Sequence, residues 1–155
     1  MALRSLFGGE REESFVSRVL VATDRSETAE VAVAWAAELA NRYEAELVLV
    51  QIVVPPNEVD PAVTADLQNH AANMAGERGR AVVSVNEDPA KAIVHAAEDE
   101  DADLVVVGNV GMSGRKEFLL GNVPNRVSHM SRRTVVIVNT AQRLERLQQK
   151  RRFFR

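Results

Sequence analysis

The chain has 155 residues, of which 46% are hydrophobic and 26% charged, a composition typical of a single globular domain. It contains no cysteine, which excludes a disulfide framework and a thiolate metal site. No apolar run approaches the roughly 18–20 residues that cross a bilayer, so we expect a cytoplasmic protein without a membrane span.

Five runs rich in valine, leucine and isoleucine predict strands that are buried on both faces, as in a parallel sheet. In chain order these runs are 18–23, 46–54, 80–85, 103–108 and 133–138. The segments between them predict helices, so the chain alternates strand and helix. This order predicts an α/β fold with right-handed crossovers.

The predicted helices have recognisable starts. Residues 26–42 carry alanine and valine on one face, and either Asp24 or Ser26 could cap this first helix. Residues 61–77 predict a weaker second helix, and Asp88 followed by proline predicts the start of a third. We expect Trp35 and Tyr43 to belong to the packing of this first helix.

The net charge of −3 is unevenly distributed. The chain has 19 basic and 22 acidic residues, and the last fifteen positions contain six of the basic residues and one of the acidic ones. Residues 1–140 therefore carry a net charge of −8. An acidic body of this kind binds nucleic acid poorly, so we expect no nucleic-acid partner. Residues 141–155, the tail, alternate leucine and phenylalanine with arginine and could pack on a dimer partner, dock on a membrane or protein, or be disordered.

We expect a domain over 16–140, preceded by an extension over 1–15.

The stretch VVVGNVGMSGRKEFLLGNVPNRV, residues 105–127, joins a predicted buried strand to a predicted helix. Ligands of open parallel sheets bind beyond the carboxyl ends of strands, where this loop begins. Gly108, Gly111 and Gly121 allow close backbone approach, and Asn122 is suited to cap the helix. Exposed amides at such a helix start favour an anion, most naturally phosphate. The spacing matches neither the nucleoside-triphosphatase loop nor the dinucleotide fingerprint.

The chain resembles the nucleotide-binding branch of the universal stress protein family over roughly 16–139. The resemblance rests on the G-x2-G-x9-G-N spacing and on two further stretches, VLVATDRSETAEVAVAWA and GNVPNRVSHMSRRTVVIV. The resemblance implies a three-layer, Rossmann-like α/β/α domain with a five-stranded parallel sheet in the order 3-2-1-4-5. It also implies ATP or AMP in the cleft and a homodimer formed through the last strand, Thr134–Val138.

The resemblance further implies a set of ligand contacts. Asp24 would contact the ribose, or a phosphate bridged by Mg²⁺, and the backbone at Ile52 would hydrogen-bond the adenine. Gly108 would lie by the ribose. The remaining implied site residues are Ala22, Thr23, Val107, Gly111, Gly121, Asn122 and Val123. Asn122 stands where the family has serine or threonine, and Ala22 stands where proline is frequent; Asn122 lacks a hydroxyl for phosphate or Mg²⁺.

These observations favour a regulatory module that binds an adenine nucleotide and acts on an unidentified client protein. Two alternatives stay open, namely a slow ATP hydrolase or phosphotransferase and a dimeric interaction module without ligand. Lys116 in the glycine loop is followed by glutamate, not by serine or threonine, and no convincing base is present, so we expect at most slow hydrolysis. His70, His95 and His129 share no metal-ligand spacing and are expected to be structural.

Overall fold

The structure is a computed structural model that describes residues 14–109, 122–140 and Gln149. Five strands form one parallel sheet: β1 Arg18–Ala22, β2 Glu46–Val53, β3 Gly79–Val85, β4 Leu104–Gly108 and β5 Thr134–Val138. The described helices between them are α1 Glu27–Tyr43, α2 Pro61–Ala75, α3 Pro89–Asp99 and α4 Val123–Met130. The strand order β3-β2-β1-β4-β5 confirms the expected five-stranded α/β fold.

The sheet separates two apolar layers because side chains alternate along each strand. Val19 and Val21 of β1 point into a cluster formed with α1 and α2. Leu20, between them, points into a second cluster formed with α3 and α4. All three are fully buried, so β1 is the centre of the fold, as its continuous apolar run predicts.

Each described helix begins at a side-chain cap, as the turn residues before it predict. Ser26, not Asp24, caps α1, since its hydroxyl accepts a hydrogen bond from the amide of Ala29 at 3.2 Å. Asp60, Asp88 and Asn122 cap the three later helices, each of which has proline in its first turn. These caps fix where each helix leaves the carboxyl edge of the sheet.

The start of β3 depends on a close approach by α2. A Cβ added at Gly79 would lie 2.0 Å from the backbone oxygen of Ala71, so no larger residue fits there without moving the helix. The chain reaches this glycine through a 3-10 turn, Gly76–Arg78, and α2 therefore ends two residues earlier than the predicted 77. This contact holds α2 against the outer strands of the sheet.

The expectation that Trp35 and Tyr43 pack with α1 is wrong. Their exposures are 38% and 49%, because the buried face of α1 is built from smaller residues such as Val33 and Ala36. Alanine lets the helix lie close to the sheet, which turns the two aromatic rings outward. Among the described residues, no helix has the length and apolarity that crossing a bilayer requires.

Candidate functional site

The order of the strands creates a crevice at the carboxyl edge of the sheet. β1 lies between β2 and β4, so the chain leaves β1 toward one half of the sheet and returns to the other half through β4. Neighbouring crossovers therefore separate beyond the ends of β1 and β4, which is where open α/β sheets bind ligands. The predicted site residues at the ends of β1, β2 and β4 all lie along this edge.

The loop from β1 to α1 is held by two successive side-chain bonds to backbone amides. The Thr23 hydroxyl accepts from the amide of Arg25 at 3.0 Å, and Asp24 Oδ1 accepts from the amide of Ser26 at 2.9 Å. Thr23 is 1% exposed, whereas Asp24 is half-buried. Asp24 Oδ2 has no partner among the described residues, so one carboxylate oxygen is available to a ligand.

Arg25 occupies a left-handed backbone conformation, with φ at 66°. This conformation is uncommon for a residue other than glycine. It directs the guanidinium toward two carboxylates, with Nε 3.7 Å from Glu30 of α1 and Nη2 3.5 Å from Asp66 of α2. His70 Nε2 lies 2.7 Å from the same Glu30. These side-chain contacts join the β1–α1 loop to α2 beside the crevice.

The end of β2 projects beyond β1. The last register pair between the two strands is Ala22 with Val50, and the amide of Thr23 donates to the Val50 oxygen at 2.9 Å. β2 continues for three more residues, paired only with β3. The Val53 oxygen accepts from Asn86 on the β3 side, so the backbone of Ile52 faces the opposite side, where β1 has already ended.

A hollow of about 340 Å³ opens beside this projecting end and is closed by the start of α2. Ile52, Asn57 and Val63 are among its lining residues. Gln51 also lines it, and its Oε1 atom is buried without a hydrogen-bond partner among the described residues. A volume of this size is at the lower end of ligand pockets, which span roughly 300–1,000 Å³.

Gly108, at the end of β4, has a packing reason to be glycine. An added Cβ would lie 3.0 Å from Thr140 Cγ2 and 3.9 Å from the Cβ of Ala32. Asn109 fixes Thr140 in turn, since its Oδ1 accepts from the amide of Thr140 at 3.0 Å and from the hydroxyl at 3.2 Å. The exits of β4 and β5 are therefore joined to each other.

The start of α4 has the predicted cap. Asn122 is in a left-handed conformation, with φ at 50°, and its Oδ1 accepts from the amide of Asn125 at 3.5 Å. Val123 follows as the first helical residue and packs into the cluster on the α3–α4 side. A helix start of this kind presents unpaired amides to the crevice.

The ion pair that holds α4 in place was not foreseen from the sequence. Arg126 of α4 donates to both carboxylate oxygens of Asp88 at 2.8 Å, and Asp88 also caps α3. The hydrogen bond from Arg126 lowers the pKa of Asp88 from 3.8 to about 2. The sequence signalled Asp88 as a cap, but nothing in the local pattern identified its partner 38 residues away.

Three of the implied site residues offer only backbone to a ligand. Ala22, Ile52 and Val107 are at most 9% exposed, and their side chains belong to the core on the α3–α4 side. Gly111 and Gly121 lie outside the described residues, as do residues 110–121 in general. Among the described residues, no three histidine or acidic side chains are grouped so that they could hold a metal ion.

The sheet order and its open carboxyl edge define the chain as a Rossmann-like α/β protein. Comparison with known proteins makes this specific. A sequence profile of the universal stress protein family matches residues 16–139, so the chain belongs to that family. Universal stress protein Rv1636 of Mycobacterium tuberculosis is 33% identical over 141 residues, which cover 79% of this chain and 95% of the relative.

Solved structures agree with this assignment. A crystal structure of a universal stress protein in complex with cAMP aligns with a TM-score of 0.67 and 30% identity, covering 83% of this chain and 100% of that chain. A universal stress protein from Archaeoglobus fulgidus in complex with dAMP has the same fold, with a TM-score of 0.59 and 20% identity; the match covers 81% of this chain and 100% of that one.

Proposed function

We propose that this protein binds an adenine nucleotide, ATP or AMP, at the carboxyl edge of its sheet. The observation that carries the proposal is the projecting end of β2. The backbone N–H and C=O of Ile52 face the side where β1 has already ended. An adenine ring presents an acceptor nitrogen and an exocyclic amine donor at neighbouring ring positions, so this strand segment can pair with it as it would with a neighbouring strand.

The sugar and phosphates have candidate partners on both sides of β1. Asp24 keeps one carboxylate oxygen for a ribose hydroxyl or for Mg²⁺ carried in with the nucleotide. Gly108 brings bare backbone to the same edge, and the amides at the start of α4 suit a phosphate. Thr23, Asn122 and Val123, together with Gly111 and Gly121, complete the proposed contacts. The comparisons support this choice of ligand, since a relative 30% identical in sequence was solved with cAMP.

The proposed role is regulatory, with the bound nucleotide setting how a dimer presents itself to a client protein in the cytoplasm. The dimer would form through the outer edge of β5, residues Thr134–Val138. Within the described chain β5 pairs with β4 alone, and Ile137 on it is 42% exposed. An edge strand this apolar requires a cover, and a second copy of the same strand provides one.

Calorimetry with ATP, AMP and cAMP tests the proposal. Wild type should bind at least one of them, and Asp24→Asn should weaken that binding about 10- to 100-fold, the effect of a charged hydrogen bond worth roughly 1.5–3 kcal/mol. Asp99→Asn, on the exposed end of α3, is the matched control and should bind as wild type does. Gly121→Val should abolish binding while circular dichroism is unchanged. Absence of heat with all three nucleotides would overturn the proposal.

A further inference from the structure

The outer surface of α1 carries an apolar stripe that the described residues leave uncovered. Trp35, Leu39 and Tyr43 follow each other at four-residue intervals and therefore share one side of the helix. Trp35 is 38% exposed, Tyr43 is 49% exposed and Leu39 is half-buried. We call these three residues the aromatic flank.

The aromatic flank faces the side of the sheet over which the described residues place no helix. At 100° per residue it lies opposite Glu30 and Asn41, which contact His70 and Met74 of α2. On this face of the sheet, α2 packs on β2 and β3 whereas α1 packs on β1 and β4. No described helix lies mainly over β5 there, and its Val136 is only partly buried against the same cluster.

We propose that the tail, residues 141–155, packs as a helix along the aromatic flank of its own chain. The tail starts at the right place. Thr140, the residue before it, is fully buried and lies beside Ala32 of α1, because both surround the vacant Cβ position of Gly108. A chain that leaves the carboxyl end of β5 and returns across the sheet runs parallel to α1.

The spacing of residues along the two helices also matches. Trp35, Leu39 and Tyr43 come three, seven and eleven residues after Ala32, and Leu147 and Arg151 come seven and eleven residues after Thr140. Leu147 therefore falls level with Leu39. Arg151 falls level with Tyr43, where its guanidinium can stack on the ring. A fifteen-residue helix is about 22 Å long, which exceeds the roughly 16 Å from Ala32 to Tyr43.

The tail has a suitable face for this contact. In a helix, Leu144, Leu147 and Phe154 fall within one narrow arc, and Gln149 falls on the opposite side. Gln149 is the one residue of the tail that the structure describes, and it is helical and exposed. The tail also carries a net charge of +5 against −8 for the rest of the chain. Charge and apolar pattern thus both favour this chain's own surface.

Trp35 is the only tryptophan, so its fluorescence reports on the contact directly. In the full chain, the double variant Leu144→Asn with Leu147→Asn should shift Trp35 emission to the red. The acrylamide quenching constant should rise roughly two-fold or more as the ring becomes more accessible to solvent. The control Gln149→Asn, on the opposite face, should leave both unchanged. Identical emission and quenching in wild type and the double variant would overturn the proposal.

Disulfide trapping identifies the occupant of the flank. The chain has no cysteine, so Leu39→Cys with Leu147→Cys introduces a single pair, and Leu39→Cys with Gln149→Cys is its control. Rapid oxidation of the first pair within one chain, at a rate independent of protein concentration, is the expected result. Disulfide-linked dimers would assign the flank to a second copy and contradict the proposal. If the disulfide within one chain forms without anionic vesicles and is lost when they are added, the proposal is still supported. If it forms in neither condition, the proposal is refuted.

Discussion

At the scale of single residues, the β1–α1 loop assigns different tasks to neighbouring polar side chains. Ser26 caps α1, while Asp24 holds the turn with one oxygen and has no partner for the other among the described residues. The sequence pattern allowed either residue to be the cap, because both types accept amide hydrogen bonds. The structure distinguishes the two roles by the amide that each side chain accepts from. Ser26 accepts from the amide of Ala29, and Asp24 accepts from the amide of Ser26.

Removing the cap should affect stability and leave the ligand largely unaffected. Ser26→Ala should lower the free energy of unfolding by about 1 kcal/mol, the usual effect of losing a helix cap. Asp24→Asn should cost less stability than Ser26→Ala, since asparagine still accepts the amide of Ser26, but it should weaken nucleotide binding. Urea unfolding and calorimetry on both variants check this division, and the reverse pattern would contradict it.

Gly108 is implied to lie beside a ligand, but packing within the protein also requires a glycine at this position. Its missing Cβ makes room for Thr140. Gly108→Ala should therefore lower stability by about 1–3 kcal/mol through overpacking. Adding Thr140→Ser removes the methyl group that clashes, so the double variant should regain most of that loss. Failure of the second substitution to rescue urea unfolding would show that the methyl contact is not the cause.

At the scale of elements, ion pairs connect helices that are distant in sequence. Arg126 joins α4 to the start of α3 through Asp88, and Arg133, just before β5, contacts Glu98 near the end of α3 at 2.9 Å. The hydrogen bond from Arg133 also lowers the pKa of Glu98. These links fix the position of α4, and therefore of the amides that would face a phosphate.

The Asp88–Arg126 pair gives the fold a defined acid sensitivity. Since folding lowers the pKa of Asp88 from 3.8 to about 2, its contribution is complete above pH 3.8 and is lost as the pH falls toward 2. Asp88→Asn keeps a helix cap but removes the charge. Its urea midpoint should be below that of wild type at pH 7, and the difference should narrow below pH 3.8. A difference independent of pH would contradict the assignment.

At the scale of the whole molecule, the described residues pair β5 with β4 and place no strand on its outer edge. The Val138 oxygen accepts from the amide of Asn109 on the β4 side, so alternation turns the backbone of Ile137 outward. Ile137→Pro thus removes an outward amide without breaking the pairing with β4. It should convert the proposed dimer to a folded monomer in sedimentation experiments. Val136→Pro breaks the internal pairing with β4 and should unfold the sheet instead. If the Ile137→Pro variant is still a dimer, assembly through this edge is refuted.

The sequence predicted strands, helices and caps well because each depends on short-range patterns. Continuous valine and leucine runs indicate buried strands, and Asp88 before proline indicates a helix start. It could not predict the Asp88–Arg126 pair or the projection of β2 beyond β1, because both depend on how distant segments pack. Trp35 was misjudged for a related reason, since the small residues of α1 fill the space against the sheet that a large ring was expected to occupy.

The proposed site depends most on the backbone of Ile52, which extends beyond the end of β1, and amide NMR during a titration with AMP tests that backbone directly. We expect the amide resonances of Ile52 and of Asn122 and Val123 at the start of α4 to shift together and to saturate, while those of α3 near Asp99 stay in place. Saturable AMP binding that leaves the Ile52 amide unmoved, or no binding at all, would contradict the proposed site.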